Sequence, residues 1–204
     1  MEYLVTMTTH VPGGTSQQAV DEIRAREAAR SRELAAQGHA QGHLLRLWRP
    51  PLRPGEWRTL GLFAADDDGQ LEEVLASMPL RVWRTDEVTP LMPHPNDPGG
   101  PASPGVSEFF TTFVITIPEG TATQDVVDTE AREARRAKVL AAEGHLLRLW
   151  RLPAANGDGH SLGLWQARDE AEMQSIVASL PLLPWMTVQT TPLTPHPSDP
   201  LAAS

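Results

Sequence analysis

His43-Leu44-Leu45-Arg46-Leu47-Trp48-Arg49 returns as His145-Leu146-Leu147-Arg148-Leu149-Trp150-Arg151, identical at all seven positions. Working outward, Pro93-His94-Pro95-Asn96-Asp97-Pro98 is answered by Pro195-His196-Pro197-Ser198-Asp199-Pro200. Between these words, Leu60-Gly61-Leu62 matches Leu162-Gly163-Leu164, and Ser77-Met78-Pro79-Leu80 matches Ser179-Leu180-Pro181-Leu182. All keep one order and one offset. Upstream the offset grows because the first copy carries an extra stretch, Gly38-His39-Ala40-Gln41, a stuttered Gly-His. A period of about one hundred residues is a duplicated domain and not a solenoid. The expected organisation is a first repeat over 1–97, a Pro/Gly-rich linker over 98–107 (Gly99, Gly100, Pro101, Pro104, Gly105) and a second repeat over 108–200.

Each copy reads alike. Residues 2–9 and 108–117 are β-branched and apolar, which predicts strands. Residues 16–37 and 123–143, rich in Ala, Arg and Glu, predict helices stopped by Gly38 and Gly144. The His-Leu-Leu-Arg-Leu-Trp-Arg word and residues 58–65 or 160–167 predict two further strands. A short helix follows (70–77; 172–179). A last strand runs over 82–91 and 185–193, with the prolines beyond it expected to end its pairing. The order β-α-β-β-α-β is the ferredoxin-like arrangement, four antiparallel strands with two helices on one face. The bare sheet face needs a cover, and the second copy supplies one. The expected fold is α+β, two ferredoxin-like units forming an intramolecular dimeric α+β barrel.

Composition narrows the partners. Of 204 residues 40% are hydrophobic, and 17 basic against 26 acidic side chains give a net charge of −9. Nucleic acid and anionic membranes are disfavoured as partners, since both need a basic face. A small anionic ligand needs only a local arginine or two. The absence of cysteine excludes disulfides, thiol nucleophiles and thiolate metal sites. No signal-peptide pattern or membrane-length apolar run is found, so a cytoplasmic protein is expected. No Gly-x-Gly-x-x-Gly or phosphate loop occurs. His10, His39, His43, His145 and His160 show no metal-ligand spacing.

The Gly144–Arg151 strand ending Arg-Leu-Trp-Arg, the Ser-Leu-Pro-Leu-Leu-Pro-Trp-Met stretch at 179–186, and the terminal His-Pro-Ser/Asn words resemble the muconolactone Δ-isomerase family. The resemblance covers nearly all of both copies. In the first copy Arg81-Val82-Trp83-Arg84 replaces the Leu-Pro-Trp-Met portion. The resemblance implies the dimeric barrel of small single-copy chains, here written as one polypeptide, with further assembly of copies as an open question. It also implies a cofactor-free proton shift that moves a ring double bond in an unsaturated lactone bearing a carboxylate. One departure is notable: where the catabolic isomerases have histidine in the Leu-Trp-Arg strand, this chain has Arg46 and Arg148. That places the catabolic substrate in question and leaves natural-product cyclase or isomerase chemistry as the alternative.

Candidate site residues follow. At 100° per residue, Val20, Ile23 and Leu34 define an inward helix face with Glu27 in its middle. Val126, Ala137 and Leu140 do the same around Glu133. An inward carboxylate is costly unless paired or useful, and desolvation raises its pKa toward that of a working base. The bland reading is a glutamate held by a buried arginine. Arg46 and Arg49, like Arg148 and Arg151, are three apart on a strand, so one of each pair faces a given pocket and suits a substrate carboxylate. Trp48 and Trp150, sharing the face of Arg46 and Arg148, are candidate pocket wall or ordinary core. His94 and His196 in the Pro-His-Pro tails close the opposite pockets if the family arrangement holds, or are rigid loop residues. A non-catalytic ligand-binding protein is the competing class.

Overall fold

A computed structural model describes residues 1–37, 43–103, 105–153 and 159–203. The stuttered stretch at 38–41, with the helix stop at Gly38, lies outside the described residues. The fold is mixed α+β, with eight antiparallel strands and four α-helices among the described residues. The first repeat gives β1 (Glu2–Thr9), α1 (Gln17–Ala36), β2 (Leu44–Arg49), β3 (Arg58–Ala64), α2 (Asp68–Ala76) and β4 (Arg84–Pro93). The second gives β5 (Ser107–Ile115), α3 (Thr123–Ala142), β6 (Leu146–Arg151), β7 (Gly159–Ala167), α4 (Glu170–Ala178) and β8 (Met186–Pro195).

Local chemistry sets the element ends. Ser16 caps α1 by accepting from the Ala19 N–H at 3.3 Å. Asp67 and Asp169 cap α2 and α4 through the N–H groups of Gln70 and Glu172. Gly144, in the left-handed region at φ 79°, ends α3 and lets the His145 N–H reach back to the Leu140 carbonyl at 2.8 Å.

The compact units do not follow the repeat boundaries. Unit 1 comprises Met1–Leu91 together with the tail from Thr194, and unit 2 comprises Met92–Leu193. In unit 1, β1 lies between β3 and β4, β3 also pairs with β2, and β2 takes Thr194 and Pro195 on its outer edge. Unit 2 repeats this with β5 between β7 and β8, β6 beside β7, and Met92 and Pro93 on the edge of β6. Each unit therefore holds the tail of the other repeat.

Two expectations need correction. The last strands do not stop before their prolines: Pro93 pairs with Trp150 and Pro195 with Trp48. A strand tolerates proline where its missing N–H costs no ladder bond, as at these strand ends, where the pairing with β1 and β5 has already stopped at Leu91 and Leu193. Those strands also start later than read, because a 3-10 turn (Pro79–Trp83; Leu183–Trp185) takes the preceding residues. The linker is anchored as well. The Gly100 N–H donates to the Leu147 carbonyl at 2.9 Å, and Ser103 exchanges two hydrogen bonds with the buried amide of Gln166.

The unit 1 core gathers Tyr3, Val5, Leu34, Leu44, Phe63 and Leu75 between sheet and helices. The unit 2 core gathers Phe109, Leu140, Leu146, Trp165, Met173 and Ile176. Burying a side chain of this size stabilises the fold by about 1.5–3 kcal/mol each.

Candidate functional site

The seven-residue word assigns a task to every position. His43 and His145 place Nδ1 at 3.1 and 3.0 Å from the carbonyls of Ala64 and Gln166. Leu44 and Leu146 enter the cores. The register then slips at Leu45 and Leu147, a bulge that resets the alternation. Beyond it, Leu47 and Arg49 (Leu149 and Arg151) line a cavity on the helix-covered face of their unit.

Arg46 and Arg148 are not among the cavity-lining residues. The Nε and Nη2 of Arg46 donate to Asp199 at 3.1–3.2 Å, and Asp199 also accepts from the Leu47 N–H at 3.0 Å. Arg148 grips Asp97 likewise, with the Leu149 N–H at 2.9 Å. Each guanidinium lies 4.7 Å from the ring centroid of the buried Trp48 or Trp150. The expected substrate role of Arg46, Trp48, Arg148 and Trp150 thus meets a different arrangement: they clamp the tails. Asp97 and Asp199 were missed as partners, although both sit in the repeated tail word.

The clamps deliver the tail histidines. His196 lines the unit 1 cavity and His94 the unit 2 cavity. Their Nδ1 atoms accept from the Ser198 and Asn96 N–H groups at 3.1 Å, which puts the proton of the neutral ring on Nε2. Burial, then Arg49, pushes His196 down to about 4; burial, then Arg151, lowers His94, with Asp97 opposing. Both present neutral rings near neutral pH.

The two helix glutamates also reach the cavities, and their settings differ. In unit 1 the cavity is about 590 Å³. There the Leu80 N–H donates to Glu27 Oε2 at 2.8 Å, and Arg84 Nη1 donates to Oε1 at 3.0 Å. Arg84 is itself buried between Glu27 and Asp86, with Nε 2.6 Å from Asp86, which also accepts from Arg81. Burial raises the pKa of Glu27, while the Leu80 N–H and the Arg84 charge oppose the rise. The pocket wall adds Arg24, stacked 4.3 Å from the Trp57 ring centroid, and Arg58.

In unit 2 the cavity is about 520 Å³ and mostly apolar, walled by Phe113, Ile115, Leu149, Trp165, Leu182 and Met186. Glu133 Oε2 accepts from the Leu182 N–H at 2.9 Å. Met186 opens β8 where Arg84 opens β4, so no described cation lies within ion-pair distance of Glu133. Burial raises its pKa, opposed by the Leu182 N–H alone. A carboxylate so placed is a proton acceptor whose second oxygen has no described partner.

No three His, Asp or Glu side chains among the described residues are placed to hold a metal ion. No described helix is long and apolar enough to cross a membrane.

Comparison with known proteins follows the repeat. The muconolactone delta-isomerase family profile matches residues 1–97 and again 107–199. Muconolactone Delta-isomerase 1 of Acinetobacter lwoffii is 32% identical over 91 residues, 45% of this chain and 92% of that protein. The muconolactone Delta-isomerase of Cupriavidus pinatubonensis is 29% identical over 91 residues, 45% of this chain and 96% of its own. Over 100% of this chain and 95% of the other, the fold is like that of a heme-binding protein from Thermus thermophilus, with a TM-score of 0.61 at 11% identity. The chain belongs to the muconolactone Δ-isomerase family, and it carries that family's domain twice in one polypeptide.

Proposed function

We propose that the chain is a cofactor-independent isomerase whose working centre is the unit 2 cavity, with Glu133 as general base. The substrate is an unsaturated lactone, or a related carbonyl compound, that bears a carboxylate. The observation that carries this reading is the setting of Glu133: enclosed by apolar side chains, held by one backbone N–H, and uncompensated by any described cation.

The chemistry asks little else of the protein. Glu133 takes a proton from the carbon activated by the carbonyl, and the C–H electron pair moves into the ring as a dienolate. The Nε2–H of His94 and the Arg151 guanidinium share the cavity wall with Glu133. They are the available donors for the dienolate oxygen and for the substrate carboxylate. The protonated Glu133 then returns the proton to the dienolate carbon two positions along the ring from the one that lost it, and the double bond settles in its new position. Atoms and electrons balance without a redox partner. Pairing of Glu27 with Arg84 disfavours the same role in unit 1, because both of its oxygens are occupied.

The test is to incubate the purified chain with muconolactone in D2O and follow the ring protons by NMR. The reading expects double-bond migration with solvent deuterium entering the position that gains the proton, undiminished by chelators. Neither migration nor exchange, for this or related unsaturated lactones, would overturn it.

A further inference from the structure

We propose that the unit 1 cavity is a binding site for a small organic anion, a mono- or dicarboxylate, and not a second copy of the isomerase centre. The two cavities descend from one repeat, but the charges on their walls have opposite balance. Among the described lining residues, unit 1 has Arg24, Arg49, Arg58 and Arg84 against Glu27 and Glu56. Unit 2 has Arg151 against Glu130 and Glu133. The inversion arises at particular positions: Arg24 stands where α3 has Glu130, and Arg84 where β8 has Met186.

Within unit 1 the charges sort into two sets. Glu27, Arg84 and Asp86 satisfy one another and leave no surplus for a ligand. Arg49 and Arg58 have no carboxylate within ion-pair distance among the described residues. The Nε of Arg58 is buried and has no hydrogen-bond acceptor among the described residues. A buried guanidinium donor without an acceptor is rare in folded proteins, and Arg58 lines the cavity with its charge paired to no described carboxylate, which an entering anion would answer. Arg24 and Trp57 add a flat cationic and aromatic wall, and Thr9, Thr59 and Ser198 add hydroxyls. Planar carboxylates fit such a wall better than compact inorganic anions, since they use the bidentate fork and the ring face together. The chain carries a net charge of −9, so this cationic cavity is a local feature set against the overall field.

The proposal extends the functional reading to the other half of the chain. Its test reads binding and not turnover, so either can fail without the other. Titration calorimetry of the intact protein would use fumarate, benzoate and inorganic phosphate as probes. The expected result is one fumarate or benzoate site per chain, weakened by added salt. Arg58→Gln should weaken it about tenfold or more, the worth of one charge-assisted hydrogen bond. Arg24→Glu installs the unit 2 charge at a side chain that is 52% exposed, so it serves if Arg58→Gln does not fold. Arg151→Gln should leave the site intact. Binding of none of the probes, two equivalent sites, loss in Arg151→Gln alone, or phosphate bound more tightly than either carboxylate would each overturn the proposal.

Discussion

Asp199→Asn removes a charge from the tail clamp and almost nothing else. The asparagine keeps an oxygen that can accept from the Leu47 N–H, so the change isolates the loss of a carboxylate from beside Arg46. That pair is deep: the Asp199 side chain is 1% exposed and that of Arg46 10%. Taking one partner from a buried ion pair typically costs about 3–5 kcal/mol, because the remaining charge keeps its desolvation penalty. Asp97→Asn is the internal control. Its pair with Arg148 has the same geometry, but the side chains are 20% and 21% exposed, so water recovers part of the loss. A cost of about 1–3 kcal/mol is expected there. Against a usual domain stability of about 5–15 kcal/mol, both are measurable by urea unfolding of the intact chain. Hydrogen exchange should place the added opening at β2 and the C-terminal tail for Asp199→Asn, and at β6 and residues 92–97 for Asp97→Asn. Equal costs in the two variants, or costs below about 0.5 kcal/mol in both, would refute the reasoning from burial.

Three further outcomes follow from the same geometry. Burial raises the pKa of Glu133, and turnover needs its carboxylate ionised, so the acid limb of the rate profile should lie above the ordinary glutamate range of about 4.3. The linked stability has the opposite sense: a raised folded pKa gives stability present at low pH and lost as pH rises through it, so Glu133→Gln should be more stable than the parent above that limb. Arg84→Met, which copies unit 2, leaves Glu27 and Asp86 without the guanidinium between them and should cost about 3–5 kcal/mol near neutrality. Thermal melts should recover part of that loss as the pH falls, because removing the Arg84 charge takes away one of the groups that oppose the burial-raised pKa of Glu27 and so favours its protonation. Gly163→Ala drives a methyl into the indole of Trp165 and should cost about 1–3 kcal/mol by chemical denaturation, with loss of activity as the unit 2 cavity wall shifts.

Much of the fold was legible because the repeated words are structural words. The odd spacing within the Arg-Leu-Trp-Arg strand showed that its two arginines face opposite ways. It did not show which one meets a cavity, since the bulge at Leu45 and Leu147 resets the alternation locally and leaves no mark in a pattern of identical residues. Helix periodicity placed Glu27 and Glu133 on inward faces. The difference between them was hidden, because it comes from Arg84 and Met186 at the start of strands remote in sequence. Arg81-Val82-Trp83-Arg84 is visible as a departure from the second copy, but only the fold brings its last arginine to the helix glutamate 57 residues away. The tail prolines read as terminators because their missing N–H groups count against a ladder, whereas at the end of a strand, paired on one side only, that loss is small. Asp97 and Asp199, in plain view within a repeated word, needed the fold to bring them to Arg148 and Arg46.

The central claim is that one glutamate of the matched pair does the chemistry. It is tested most directly by the kcat of Glu133→Gln beside that of Glu27→Gln, in one assay on the same lactone. Glutamine keeps the acceptor for the Leu182 or Leu80 N–H and removes the base; at position 27 it also removes the charge beside Arg84, which keeps Asp86. Glu133→Gln should lose about 10²–10⁴ in kcat with KM little changed, while Glu27→Gln retains most of the parent rate. A folded Glu133→Gln that turns over at the parent rate, or a Glu27→Gln that loses as much, would contradict it.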